Sequence, residues 1–248
     1  LVKLHADTVF NWIVEFYIYI CNILHDVKLY FRTRMEYLGM NVKVTEEEID
    51  VSGATVFQRK YSSSLNKKNM VLIHGWSFTS KNWEDVGIFD HLAGLGFNAY
   101  AVDYPGFGKS PVSEKYRLDR GDLARGPKFV SDYLSSSKLD HAFLLGASMG
   151  GGIAILSALE YPQKIDGIVA VAPAWIEKEE HRMKALEKPV LFVWGSDDRV
   201  VPVDLGKGYS KAVKGSKLEI VKGSGHPVYL EKTEQFLSVL DGFLKQFS

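Results

Sequence analysis

The chain has 248 residues, of which 46% are hydrophobic and 24% charged, a balance that suits one packed domain and excludes a disordered, collagen-like or disulfide-scaffold protein. Thirty basic residues offset thirty acidic ones, so no overall field draws the molecule to nucleic acid, and no nucleic-acid partner is expected. The single cysteine, Cys21, excludes an intramolecular disulfide and a multi-cysteine zinc site, which fits a cytoplasmic location.

Residues 1–39 are expected to form an N-terminal helical extension. Phe10, Ile13, Val14, Tyr17, Ile20, Leu24, Val27 and Phe31 recur at helical spacing, so one face is apolar. Glu15, Asp26 and Lys28 interrupt what would otherwise approach a membrane span, and no small-residue cleavage pattern of a signal peptide follows. The first expectation is a helix packed on its own domain or on the twin subunit of a homodimer. The alternatives are an interfacial helix in peripheral membrane contact and a true anchor.

Residues 40–248 read as one catalytic domain. The segments 42–47 and 54–61 suggest a hairpin, and the polar run 62–69 a loop. Short, nearly continuous apolar runs follow at 70–73, 99–102, 142–145, 168–171, 190–194 and 218–221, the pattern of buried parallel strands. Amphipathic stretches at 118–134, 150–160 and 229–247 lie between or after them. Such alternation predicts an α/β class protein, a mostly parallel sheet with helices on both faces. Its site is expected at the carboxyl ends of the strands.

Four motifs fall at those strand ends. Gly146-Ala147-Ser148-Met149-Gly150 places G-x-S-x-G between a strand and a helix start, the setting of a nucleophile elbow with Ser148 as nucleophile. Ile73-His74-Gly75-Trp76 ends the first parallel strand. An acyl-transfer oxyanion needs two N–H donors, which would come from Trp76 and Met149. His74 is expected to brace this loop rather than act as a base. Gly195 to Pro202 carries two carboxylates, of which Asp198 is assigned to orient an imidazole and Asp197 to a turn. Gly223-Ser224-Gly225-His226-Pro227 follows the last strand and supplies His226 as general base. The order Ser148, Asp198, His226 matches the nucleophile-acid-base chain order of elbow hydrolases. Gly108-Lys109-Ser110 fails as a phosphate-binding loop because Asp103 stands where the opening glycine belongs, so residues 103–110 read as a structural turn beside the site. This chemistry requires neither a metal nor an organic cofactor.

Carried by these motifs in this order, residues 40–248 resemble the α/β-hydrolase superfamily. His74-Gly75-Trp76 and Ser148-Met149 are similar to the bacterial arylesterase and cofactor-free perhydrolase group. Residues 83–96 and 223–232 resemble the α/β-hydrolase domain-containing proteins of type 14. Either resemblance implies a serine carboxylesterase working through an acyl-enzyme on a small-molecule ester. Only thirteen residues separate Trp175 from Pro189, where many relatives insert a cap domain. No large cap is therefore expected, and an open pocket would be shaped by Trp76, Phe78, Phe107, Trp175, Val200 and Val228. That lining suits short-to-medium acyl or aryl esters. A thioesterase or perhydrolase using the same triad, and a non-catalytic ligand-binding protein of this fold, are the alternatives.

Overall fold

The computed structural model describes residues 42–247; the helix expected within residues 1–39 lies outside them. Among the described residues, eight strands form one sheet in the order β1-β2-β4-β3-β5-β6-β7-β8. They are β1 Thr45–Val51, β2 Ala54–Tyr61, β3 Lys68–Ile73, β4 Phe97–Val102, β5 Ala142–Ala147, β6 Ile165–Val171, β7 Val190–Gly195 and β8 Lys217–Val221. The β1–β2 and β2–β4 pairs are antiparallel and all the others parallel.

The hairpin turns on Ser52 (φ 50°) and Gly53 (φ 90°). Two successive left-handed residues match the twist of the strands they join. This turn fixes the register from Val51 opposite Ala54 to Thr45 opposite Lys60. The first strand therefore runs to Val51 instead of ending at residue 47. Its outward row, with Glu46 and Glu48 exposed, is the charged edge that discourages further strand pairing.

Because side chains alternate along a strand, each central strand feeds two cores. Val71, Ile73, Leu144, Ile168, Ala170, Phe192 and Trp194 enter one. Met70, Leu72, Phe143, Leu145, Val169, Val171, Leu191 and Val193 enter the other. The first core is covered by α3 Gly126–Ser136, α4 Met149–Glu160, α5 Val203–Ala212 and a 3-10 segment, Glu177–Ala185. The second is covered by α1 Ser80–Asp85, α2 Ile88–Gly94, α6 Val228–Glu231 and α7 Thr233–Leu244. A two-faced sheet of this kind explains why its strands read as unbroken apolar runs.

Three boundaries differ from expectation. The helix anticipated at 118–134 begins only at Gly126, with Pro127 in its first turn; residues 118–125 form turns with an isolated Asp119–Asp122 bridge. The C-terminal helix is broken at Lys232 (φ −134°, ψ 52°) into α6 and α7. β8 is not a fully buried strand: it is the sheet edge, and only Val221 of its five residues is buried. The 172–189 connection between β6 and β7 holds the 3-10 segment and no inserted domain.

Candidate active site

Ser148 stands between β5 and α4 with φ 53° and ψ −114°, a conformation costing about 1–3 kcal/mol for a residue with a side chain. Its neighbours hold it there. The Ser148 N–H donates to the Val171 carbonyl at 2.8 Å, and the Ser148 carbonyl accepts from Gly152 N–H and Ala174 N–H, each at 3.0 Å. The close packing requires glycine at both flanks: a Cβ at Gly146 would overlap the Gly150 carbonyl, and one at Gly150 the carbonyls of Ile73 and His74. The elbow is thus pressed onto the end of β3. A Cβ at Gly75 would lie 3.5 Å from that of Ser148, so the 74–76 loop abuts the serine.

The N–H groups of Trp76 and Met149 form no backbone hydrogen bond among the described residues. Met149 is the first residue of α4, where helix amides point outward and favour negative charge. His74 is fully buried; its Nδ1 donates to the Gly75 carbonyl at 2.7 Å and its Nε2 accepts from Tyr104 N–H at 3.0 Å. Both ring nitrogens are therefore engaged, Nδ1 within the 74–76 loop and Nε2 tying that loop to the 103–110 turn. Burial pushes this imidazole below its ordinary pKa, against the raising influence of the Gly75 carbonyl and Asp103.

Asp103 organises that turn. Its Oδ1 accepts from Ser80 N–H at 2.6 Å, its Oδ2 from Lys109 N–H at 2.8 Å, and its carbonyl from Ser110 Oγ at 2.6 Å. The turn in turn delivers Phe107, whose ring lies 5.3 Å from His74 and 5.2 Å from Trp76. Trp175, at φ 64°, meets Trp76 edge-on at 5.4 Å. Trp76, Phe107 and Trp175 thus form one half-buried aromatic wall beside the elbow. Phe78 packs toward Tyr229 at 6.3 Å, and its ring stands 3.2 Å from where a Cβ at Gly75 would lie, beside Ser148. Val200 is exposed at 68%, whereas Val228 is fully buried.

The loops after β7 and β8 meet at Gly195, where a Cβ would overlap the carbonyls of Ser224 and Gly225. Asp197 N–H donates to the Ser224 carbonyl at 2.9 Å, which confines Asp197 to the turn. This contact sets His226 Nδ1 2.8 Å from Asp198 Oδ2, with side-chain exposures of 14% and 0%. The other Asp198 oxygen accepts from Val200 N–H at 2.8 Å and Val201 N–H at 2.9 Å. A carboxylate fixed on both oxygens fixes the imidazole: Nδ1 must donate, so Nε2 carries the free lone pair. The described hydrogen bonds join His226 to Asp198 and do not join it to Ser148.

Sequence reasoning missed Glu231, whose carboxylate accepts from Gly225 N–H at 2.6 Å. Its spacing from His226, one turn into the following helix, was the available signal. A surface depression of about 610 Å³ lined by Glu177, Lys178, Glu180, His181, Lys184 and Ala212 includes none of the strand-end residues. Among the described residues, no group of three or more His, Cys, Asp or Glu side chains is placed to hold a metal ion. No described helix is long and apolar enough to cross a membrane.

A mostly parallel eight-stranded sheet, a strained serine at a strand-to-helix elbow and a carboxylate-bound histidine after the last strand place this chain in the α/β-hydrolase superfamily, and the α/β hydrolase fold family matches residues 68–188. The crystal structure of a predicted CIB-like hydrolase from Thermoplasma acidophilum is 48% identical, with a TM-score of 0.81, covering 83% of this chain and all of its own. Human ABHD14B, named as a candidate protein-lysine deacylase, is 28% identical over 84% of this chain and 99% of its own length. The carboxylesterase CesB from Bacillus subtilis shares the fold, with a TM-score of 0.70 at 18% identity over 90% of this chain and 98% of its own.

Proposed function

We propose that this protein is a serine hydrolase that cleaves carboxylic esters through an acyl-enzyme. The observation that carries the reading is the His226–Asp198 pair, which leaves one imidazole nitrogen free on the same rim as an elbow serine. In the first step, Ser148 Oγ gives its proton to His226 Nε2 and bonds to the acyl carbon, and the carbonyl electron pair moves onto oxygen. The N–H groups of Trp76 and Met149 hold that oxyanion. On collapse the C–O bond to the alcohol breaks, and the departing alkoxide takes the proton from Nε2. Water then loses a proton to Nε2 and attacks the acyl carbon, the bond to Ser148 Oγ breaks as the serine regains its hydrogen from Nε2, and the carboxylic acid leaves and gives up its proton to solvent. Asp198 orients the imidazole through Nδ1 and stabilises the imidazolium that forms. In free enzymes the serine–imidazole hydrogen bond is commonly loose and tightens with substrate in place.

The aromatic wall of Trp76, Phe107 and Trp175 supports short-to-medium acyl or aryl esters as substrates. A fluorophosphonate probe is expected to label the wild-type protein and to fail on Ser148→Ala. The same substitution is expected to lower p-nitrophenyl ester turnover by on the order of 10³-fold or more while circular dichroism stays unchanged. Labelling that persists in Ser148→Ala would assign the nucleophile elsewhere.

A second reading is favoured by one finding, the match to ABHD14B over 99% of its length. The same steps cleave an acyl-lysine amide if Nε2 delivers its proton to the departing amine. Comparing an acetyl-lysine peptide with an acyl-length series of esters decides between the two.

A further inference from the structure

We propose that Glu231 is the positioning residue for the general base, a role resting on the serine-hydrolase reading. The loop bearing His226 is gripped from two sides. On one side, Asp197 N–H donates to the Ser224 carbonyl and the chain passes against Gly195. On the other, Glu231 Oε2 accepts from Gly225 N–H at 2.6 Å and from Ser224 Oγ at 3.2 Å. The carboxylate lies flat on the backbone: a Cβ at Gly225 would stand 3.0 Å and 3.3 Å from its two oxygens.

The contact closes a ring. From His226 the chain enters α6, where Val228 N–H donates to the His226 carbonyl at 3.0 Å, and Leu230 N–H and Glu231 N–H donate to the Pro227 carbonyl at 2.8 and 3.0 Å. Tyr229 and Leu230 fasten this turn to the core, Tyr229 stacked on Trp83 with ring centroids 4.3 Å apart. Glu231 then returns to the N–H of Gly225, the residue before His226. The buried core is thereby connected through one side chain to the backbone carrying the base. Such a contact controls where Nε2 sits without touching substrate, and a displacement of about 1 Å at a reacting group can cost on the order of 100-fold in rate.

Reach, rather than charge, is what this geometry requires, and two substitutions separate them. Glu231→Gln keeps an acceptor oxygen at the same length and removes the charge; Glu231→Asp keeps the charge and falls one methylene short of Gly225 N–H. With a p-nitrophenyl ester, Glu231→Gln is expected to hold kcat within about threefold of wild type, and Glu231→Asp to lose roughly tenfold or more with KM within about twofold. The downfield proton resonance of the Nδ1–H shared by His226 and Asp198 is expected to persist in Glu231→Gln and to broaden or vanish in Glu231→Asp. Unchanged kcat and an unchanged resonance in Glu231→Asp would overturn the proposal, as would a Gln variant that falls as far as the Asp variant. If Glu231→Asp does not fold, the resonance in Glu231→Gln decides, its loss counting against the role. Wild-type protein that fluorophosphonate does not label at Ser148 would overturn the underlying reading separately.

Discussion

At the scale of single residues, the site depends on places where a side chain must be absent or neutral. Gly195 is one: Gly195→Ala would drive a methyl group into the carbonyls of Ser224 and Gly225. Because those carbonyls belong to the His226 loop, the expected result is an activity loss of roughly tenfold or more at a stability cost of about 1–3 kcal/mol. Ester kinetics and a urea titration on one preparation measure both. His74 is the other. With its pKa held below the ordinary 6.5 by burial, the unfolded chain binds a proton at mildly acidic pH that the folded chain refuses. The contribution is therefore complete above the unfolded value and declines as pH falls below it. Urea midpoints measured from about pH 8 to pH 5 are expected to drop on the acid side, and His74→Asn to flatten that drop. Identical slopes in the two proteins would contradict this. The bracing role of His74 was legible in the sequence because it precedes the loop glycine. Glu231 was legible only as a spacing, one turn into the helix after His226, since a helix-borne glutamate does not itself announce that its acceptor function is turned back on the preceding loop.

At the scale of elements, the short strands and the elbow follow from local patterns, and what escaped prediction is set by distant partners. The first strand of the hairpin reads as ending at residue 47, yet β1 extends to Val51 because the Ser52-Gly53 turn aligns it with β2. Likewise the amphipathic pattern before Gly126 suggested helix, although Gly121 at φ 91° and Pro127 mark a turn followed by a fresh start. The 103–110 turn shows how far one side chain can organise an element. Asp103→Asn replaces one carboxylate oxygen with an N–H donor that must face either Ser80 N–H or Lys109 N–H. Leaving a buried donor unmet costs about 1–3 kcal/mol, which a shift in urea midpoint at constant slope would register. Since this turn carries Phe107 onto Trp76, preference among acyl chain lengths is expected to change as well.

At the scale of the whole molecule, the sheet distributes the three proposed side chains unequally. Ser148 leaves β5, which is flanked by β3 and β6 in the middle of the sheet. Asp198 and His226 leave β7 and β8, and β8 is the edge strand at that end of the sheet, mostly exposed along its five residues. The proposed nucleophile is thus anchored in the middle of the sheet and the proposed base at its margin, where opening is cheapest. Warming is expected to silence the enzyme several degrees before its far-ultraviolet dichroism collapses, with activity returning on cooling. Coincident curves would show instead that margin and centre come apart together. On this architecture, heat resistance of the proposed activity would be a property of the rim, and stapling β8 to its neighbour is expected to extend the working temperature.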